Sequence, residues 1–170
     1  MTLTIRELEI AEFDLVYDYF HGATPEFLET MGIDPTRIPD RNVWRERFRS
    51  DSALPASQRG SIVLLWLMDG RPVGFSSCDK ITFGERANMH LHILAPDGRN
   101  KGIGTEFVRK SVDYYFEKLQ LKTLFCEPNA FNVAPNRTLQ KAGFKYLKTH
   151  MTVPGSLSYH QAVNRWAISR

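Results

Sequence analysis

The chain has 170 residues, with 22 lysines and arginines against 19 acids and a formal net charge of +3. That length suits a single domain, residues 1–170, able to bury its own core. With 42% hydrophobic and 24% charged residues and no apolar run long enough to span a bilayer, the composition excludes a disordered or membrane-spanning chain, and the charge excess is too mild to imply nucleic acid. The opening MTLTIRELEI lacks a basic region followed by an apolar block and a cleavage site, so a cytoplasmic protein is expected. Cys78 and Cys126 have no metal-ligand spacing around them and read as buried free thiols.

Leu3 and Ile5 alternate with polar neighbours and predict a first strand. Phe13, Val16, Tyr17 and Phe20 recur at the spacing of one helical face, and Thr24-Pro25 with Gly32 brackets a second helix. A short helix is expected over 43–49, where Trp44 and Phe48 share a face. Residues 61–68 and 71–81 are strand-like and joined by Asp69-Gly70, the signature of a tight antiparallel hairpin. A turn at Phe83-Gly84-Glu85 leads to a further strand beginning at Arg86. Helical spacing then runs over 103–119, followed by a short strand at 123–126 that must lie parallel to its neighbour because a helix intervenes. A helix over 133–142, with Asn132 placed to cap it and Gly143 to end it, precedes closing strands at 144–149 and 162–168 joined through a flexible linker.

The stretch 86–105, RANMHLHILAPDGRNKGIGT, passes from strand through a glycine-rich basic turn straight into a helix. Small residues at Gly102 and Gly104 let backbone N–H groups close on a phosphate at the positive end of a helix dipole. A Walker loop is excluded because Thr105-Glu106 follows Gly104, and a dinucleotide fingerprint because Phe107 stands where its third glycine belongs. What remains, Arg99-Asn100-Lys101-Gly102-Ile103-Gly104 after Pro96-Asp97, resembles the pyrophosphate motif of the GNAT superfamily of acyl-CoA-dependent N-acetyltransferases. By itself it is also compatible with a plain strand-to-helix turn. The segment from Asn132 to Phe144, with Lys141-Ala142-Gly143-Phe144 at its end, is similar to a second pattern of that superfamily in the right order.

The resemblance implies an α/β fold: a mixed, mostly antiparallel sheet split between its fourth and fifth strands and flanked by helices. Acetyl-CoA would be the co-substrate, with its pantetheine arm in the split along Ile93 and Leu94. Its pyrophosphate would lie on Arg99, Asn100, Lys101, Gly102, Ile103, Gly104 and Thr105. Asn132, Asn136 and Arg137 would contact it from the later helix, although Asn132 also reads as a helix cap.

Many relatives place a glutamate on the fourth strand as base. Here Asn88, His90 and His92 alternate onto one face, and histidine suits base work near neutrality. His90 falls where siderophore-type lysine N-acyltransferases of the superfamily carry a histidine, but Asn129 replaces the aspartate that would pair with it. Leu139 stands where many relatives carry a tyrosine acid, leaving Tyr146, Tyr159 or water for that role. Similar segments occur in aminoglycoside 6′-N-acetyltransferases and ribosomal-protein N-terminal acetyltransferases. The function expected is acetyl transfer to a primary amine of a small molecule or a peptide N-terminus, with a non-catalytic acyl-CoA-binding module as the rival. No metal is expected, because no third ligand is suitably spaced. A homodimer is a possible assembly that the residues leave open.

Overall fold

Met68 pairs with Arg71, and the Asp69-Gly70 dipeptide between them does form a two-residue turn. Both residues take left-handed backbone angles, with φ of 49° and 77°, as a two-residue hairpin between right-twisted strands demands. It joins β2 (Ile62–Met68) to β3 (Arg71–Thr82), and Phe83-Gly84-Glu85 carries β3 into β4 (Arg86–Ile93). With β1 (Leu3–Glu7), β5 (Thr123–Cys126), β6 (Lys145–Thr152) and β7 (Gln161–Ser169), they form one sheet in the order β1-β2-β3-β4-β5-β7-β6. Every neighbouring pair is antiparallel except β4 and β5. This computed structural model describes residues 1–94 and 102–170, so Arg99, Asn100 and Lys101 of the basic turn lie outside the described residues.

Helices cover both faces, which is why β2 is apolar throughout rather than alternating. Leu64 and Trp66 pack with Phe107, Val112 and Tyr115 of α4 (Ile103–Leu119). Leu65 and Phe75 face the other way, against Val16 and Phe20 of α1 (Phe13–His21) and Leu28 of α2 (Pro25–Met31). Trp44 and Phe48 of α3 (Arg41–Ser52) close over that second cluster. Gly74 leaves no room for a side chain: a Cβ there would lie 2.7 Å from the His92 carbonyl and 2.8 Å from the Trp66 ring.

Three local expectations are corrected. The third helix is longer than 43–49, because the Asp40 carboxylate accepts from the amides of Asn42 and Val43 and starts it at Arg41. Asn132 occupies the N-cap of α5 (Val133–Ala142) without making a side-chain cap. The linker between the last strands is strapped to the end of α2: Asp34 donates to the Leu157 carbonyl, Tyr159 to the Gly32 carbonyl, and Ile33 bridges Ser158.

Candidate active site

The site begins where β4 outruns β5. Their parallel pairing ends at Met89 opposite Cys126, where β5 stops while β4 continues to Ile93. Leu94 donates to the Val73 carbonyl of β3 at 2.9 Å. By antiparallel alternation His92 and His90 also spend their backbone groups on β3. Leu91 and Ile93 therefore turn theirs toward the gap. Beneath it lies a cavity of about 1070 Å³ that runs from the start of α4 to the aromatic side chains of α1 and α2.

At the α4 end, Gly102 has φ of 72°, a conformation that favours glycine, and no side chain among the described residues caps the helix. Among the described residues a Cβ on Gly102 would meet nothing within 4 Å, and one on Gly104 only the Thr138 methyl at 3.9 Å. Gly102, Gly104 and Thr105 line the cavity here, where the first amides of α4 are available. Ile103 contributes only backbone, since its side chain is buried in the core. Asn132 and Arg137 line the same end. Ile93 lines the cavity, whereas Leu94 spends its amide on β3 and packs in the second core cluster.

Asn136 has a different place from the one expected. Its amide nitrogen donates to the carbonyls of Asn129 (3.1 Å) and Asn132 (2.7 Å), and its oxygen accepts from Asn164 (3.0 Å) and the Trp166 indole (2.8 Å). All four hydrogen-bonding positions of that amide are committed inside the protein. Asn136 therefore fastens α5 and the loop before it to β7, and leaves the Asn132 side chain free of helix capping.

Asn88, His90 and His92 do share one face of β4, opposite Asp79, Ser77 and Phe75 of β3 respectively. The two histidines differ sharply. His92 lies in an aromatic nest, stacked on Phe75 at 4.7 Å with Tyr19 and Phe20 edge-on at 5.3 and 5.1 Å. Burial, and secondarily the neighbouring His90, pushes its pKa down to about 3, so it is neutral at physiological pH and a poor base. His90 is partly open, and its Nε2 lies 3.1 Å from Asp79 Oδ1. With the carboxylate oxygen as acceptor, Nε2 is assigned as the donor of this pair, the tautomer that leaves Nδ1 as an acceptor. Gly155 walls the ring: a Cβ there would come within 3.2 Å of His90 Cε1. Asn88 lies further from the gap, outside the cavity lining.

Sequence reasoning missed Asp79. It sought the histidine's partner at Asn129, whose side chain instead donates to Gln161 and accepts from the Phe131 amide. A β-bulge between Asp79 and Thr82, with Lys80 at φ of 48°, brings Asp79 onto the His90 face. Glu127, almost fully buried beside the cavity, is held by Arg165 at 2.5 Å, with His150 at 3.4 Å. Leu139 is buried in the core. The Tyr146 hydroxyl meets Thr149 and that of Tyr159 donates to the Glu29 carbonyl, so neither is turned to the cavity.

Similarity to known proteins agrees with this architecture. The spermidine N-acetyltransferase of Vibrio cholerae, solved with CoA and spermine, superposes with a TM-score of 0.78 at 16% identity, covering 98% of this chain and 95% of that one. The ribosomal-protein α-N-acetyltransferase RimL, solved with CoA, gives 0.77 at 17%, covering 99% and 94%. The aminoglycoside acetyltransferase AAC(6′)-Ib with ribostamycin and CoA gives 0.75 at 17%, covering 100% and 94%. An uncharacterized N-acetyltransferase of Methanocaldococcus jannaschii is 38% identical over 52 residues, a match spanning 28% of this chain and 23% of the relative. The profile of the acetyltransferase (GNAT) domain matches residues 2–145. The chain belongs to the GNAT acetyltransferase family, whose enzymes are N-acetyltransferases with acetyl-CoA as co-substrate.

Proposed function

We propose that this protein transfers an acetyl group from acetyl-CoA to a primary amine by direct attack, with His90 as general base and Asp79 as its orienting carboxylate. The observation that carries this is the 3.1 Å contact between the two side chains at the end of the cavity-lining strand. Acetyl-CoA, when bound, supplies the acetyl group as an activated thioester. The amides of Ile103 and Gly104, with Thr105, Asn132 and Arg137, would hold its phosphate and pantetheine portions. Leu91 and Ile93 offer backbone groups in the gap to its amides and acyl oxygen.

An alkylammonium has a reference pKa of about 10.4, so at neutral pH the incoming amine must lose a proton before it is nucleophilic. His90 Nδ1 takes that proton, directly or through a water, and Asp79 stabilises the imidazolium. With Leu139 in the core, the proton returned to the departing sulfur comes from water or from His90 itself. Buried free Cys78 and Cys126 accord with a reducing, cytoplasmic setting.

Kinetics of His90→Gln and Asp79→Asn test the assignment. His90→Gln is expected to lower kcat by about 10²–10⁴-fold with the KM for acetyl-CoA little changed. Asp79→Asn should lower it less and shift the pH–rate profile, as loss of a group acting through the imidazole would. Unaltered kcat in His90→Gln would remove His90 from the chemistry.

A further inference from the structure

The acceptor end of the cavity has a composition of its own. Tyr19, Phe20, Phe27, Trp44, Phe75 and His92 face it, with Met31 and Ile33 between them. Among the described residues lining the whole cavity, the carboxylates are Asp79 and Glu127. Glu127 is matched by Arg165 at 2.5 Å, which leaves Asp79 as the acid available to an incoming cation. The other acids of this region are turned elsewhere: Asp40 caps α3, Asp14 holds Arg41, and Glu26 and Glu29 are exposed on α2 outside the lining. The cations that line the cavity, Arg137 and Lys141, belong to α5 at the cofactor end.

Such a wall sorts amines by charge. One ammonium placed near Asp79 and His90 is matched, and the rest of the molecule lies against a wall of uncharged side chains that desolvates it without a carboxylate for further ammonium groups. A polycation would set its second and third ammonium groups against that wall. The strap from the last loop to α2 joins Leu157 and Ser158 to Ile33 and Asp34, closing the wall between α2 and that loop.

We infer that the acceptor is a small, singly charged primary amine with an aromatic or similarly apolar body, an arylalkylamine in chemical class, held by Asp79 at its ammonium and by the α1–α2 aromatic wall at its body. The inference rests on the acetyl-transfer function proposed above and names its substrate class. Measuring acetyl-CoA-dependent thiol release with 2-phenylethylamine, tryptamine, spermidine, kanamycin and a phenylalanine-initiated peptide tests it. The arylalkylamines should exceed the others in kcat/KM by about tenfold or more. The variant Thr30→Glu places a second carboxylate on the lining of an exposed helix turn. It should raise the spermidine-to-phenylethylamine ratio by about fivefold or more.

Spermidine, kanamycin or the peptide equalling the arylalkylamines in the wild type would overturn the inference while leaving acetyl transfer intact. Acetyl-CoA binding without turnover of any amine would instead bring down the proposed function itself, and this inference with it.

Discussion

Replacing His92 with phenylalanine separates the two histidines of β4 by their physics. In the folded protein His92 stays neutral down to about pH 3, because its ring is enclosed by Phe75, Tyr19 and Phe20. In the unfolded chain it titrates near its reference value of about 6.5. Between those values the unfolded state binds the extra proton, so this residue's contribution is present above pH 6.5 or so and is lost as pH falls. Integrated from near pH 7 to near pH 4.5, the loss is about 2.5 kcal/mol, an upper figure because one edge of the residue reaches the cavity. Phenylalanine fills a similar volume in the same nest and does not titrate, so His92→Phe should resist that part of the acid destabilisation. Urea unfolding of both proteins at the two pH values reads the difference directly, since the other ionisable groups are common to both. Parallel losses, within about 0.5 kcal/mol, would refute the claim that burial holds His92 neutral and would reopen its candidacy as a base.

Asn136→Ala removes an amide with four protein partners and orphans the Trp166 indole N–H among them; a loss of about 2–4 kcal/mol is expected in urea unfolding, with weakened acetyl-CoA binding as α5 loosens. Gly102→Trp meets no packed neighbour among the described residues, strains the backbone at φ of 72° and fills the side of the α4 N-terminus, so calorimetry should show acetyl-CoA affinity falling by at least about tenfold, with circular dichroism checking that the fold is retained. Glu7 is partly desolvated, which would raise its pKa, but the Tyr114 hydroxyl and the Arg59 guanidinium outweigh that and hold it low. Its stabilising effect is therefore present at neutral pH and lost as acid protonates it, and Glu7→Gln should flatten the acid limb of the stability curve by about 1 kcal/mol.

The elements and the start of the helix at Gly102 were legible because their signals are local. Asp69-Gly70 demands left-handed angles wherever it occurs, and the turn–helix junction at Gly102 announces itself within a few residues. Asn136 was misjudged for the opposite reason. Its partners Asn164 and Trp166 lie on β7, far along the chain, and no short-range pattern says that an exposed-looking helix asparagine will be consumed by them. Both histidines looked alike for the same cause: what keeps His92 neutral is an aromatic nest assembled from α1 and β3.

The least legible feature is also the one on which the proposed chemistry turns. Counting back from Thr82 opposite Arg86 without interruption would set Cys78 opposite His90 and send Asp79 to the far face with Met89. The single extra residue at the Lys80 bulge shifts the ladder so that Ser77 faces His90 and Asp79 faces Asn88, and every side chain of β3 beyond it changes side. A carboxylate thereby reaches the imidazole from the neighbouring strand, doing what Asn129 cannot. The bulge has a hold of its own: Lys80 donates from Nζ to the Pro154 carbonyl, in the loop whose Gly155 backs the His90 ring. Deleting Lys80 would set Ile81 opposite Ala87 and leave Asp79 opposite Asn88, so the ladder would run unbroken with the carboxylate still on the His90 face and only the hold on the loop lost. The expected result is a protein that folds and keeps most of its turnover, whereas Asp79→Ala, which removes the carboxylate itself, loses it. An Asp79→Ala variant that folds and keeps full kcat would show that the carboxylate is dispensable and that His90 works alone.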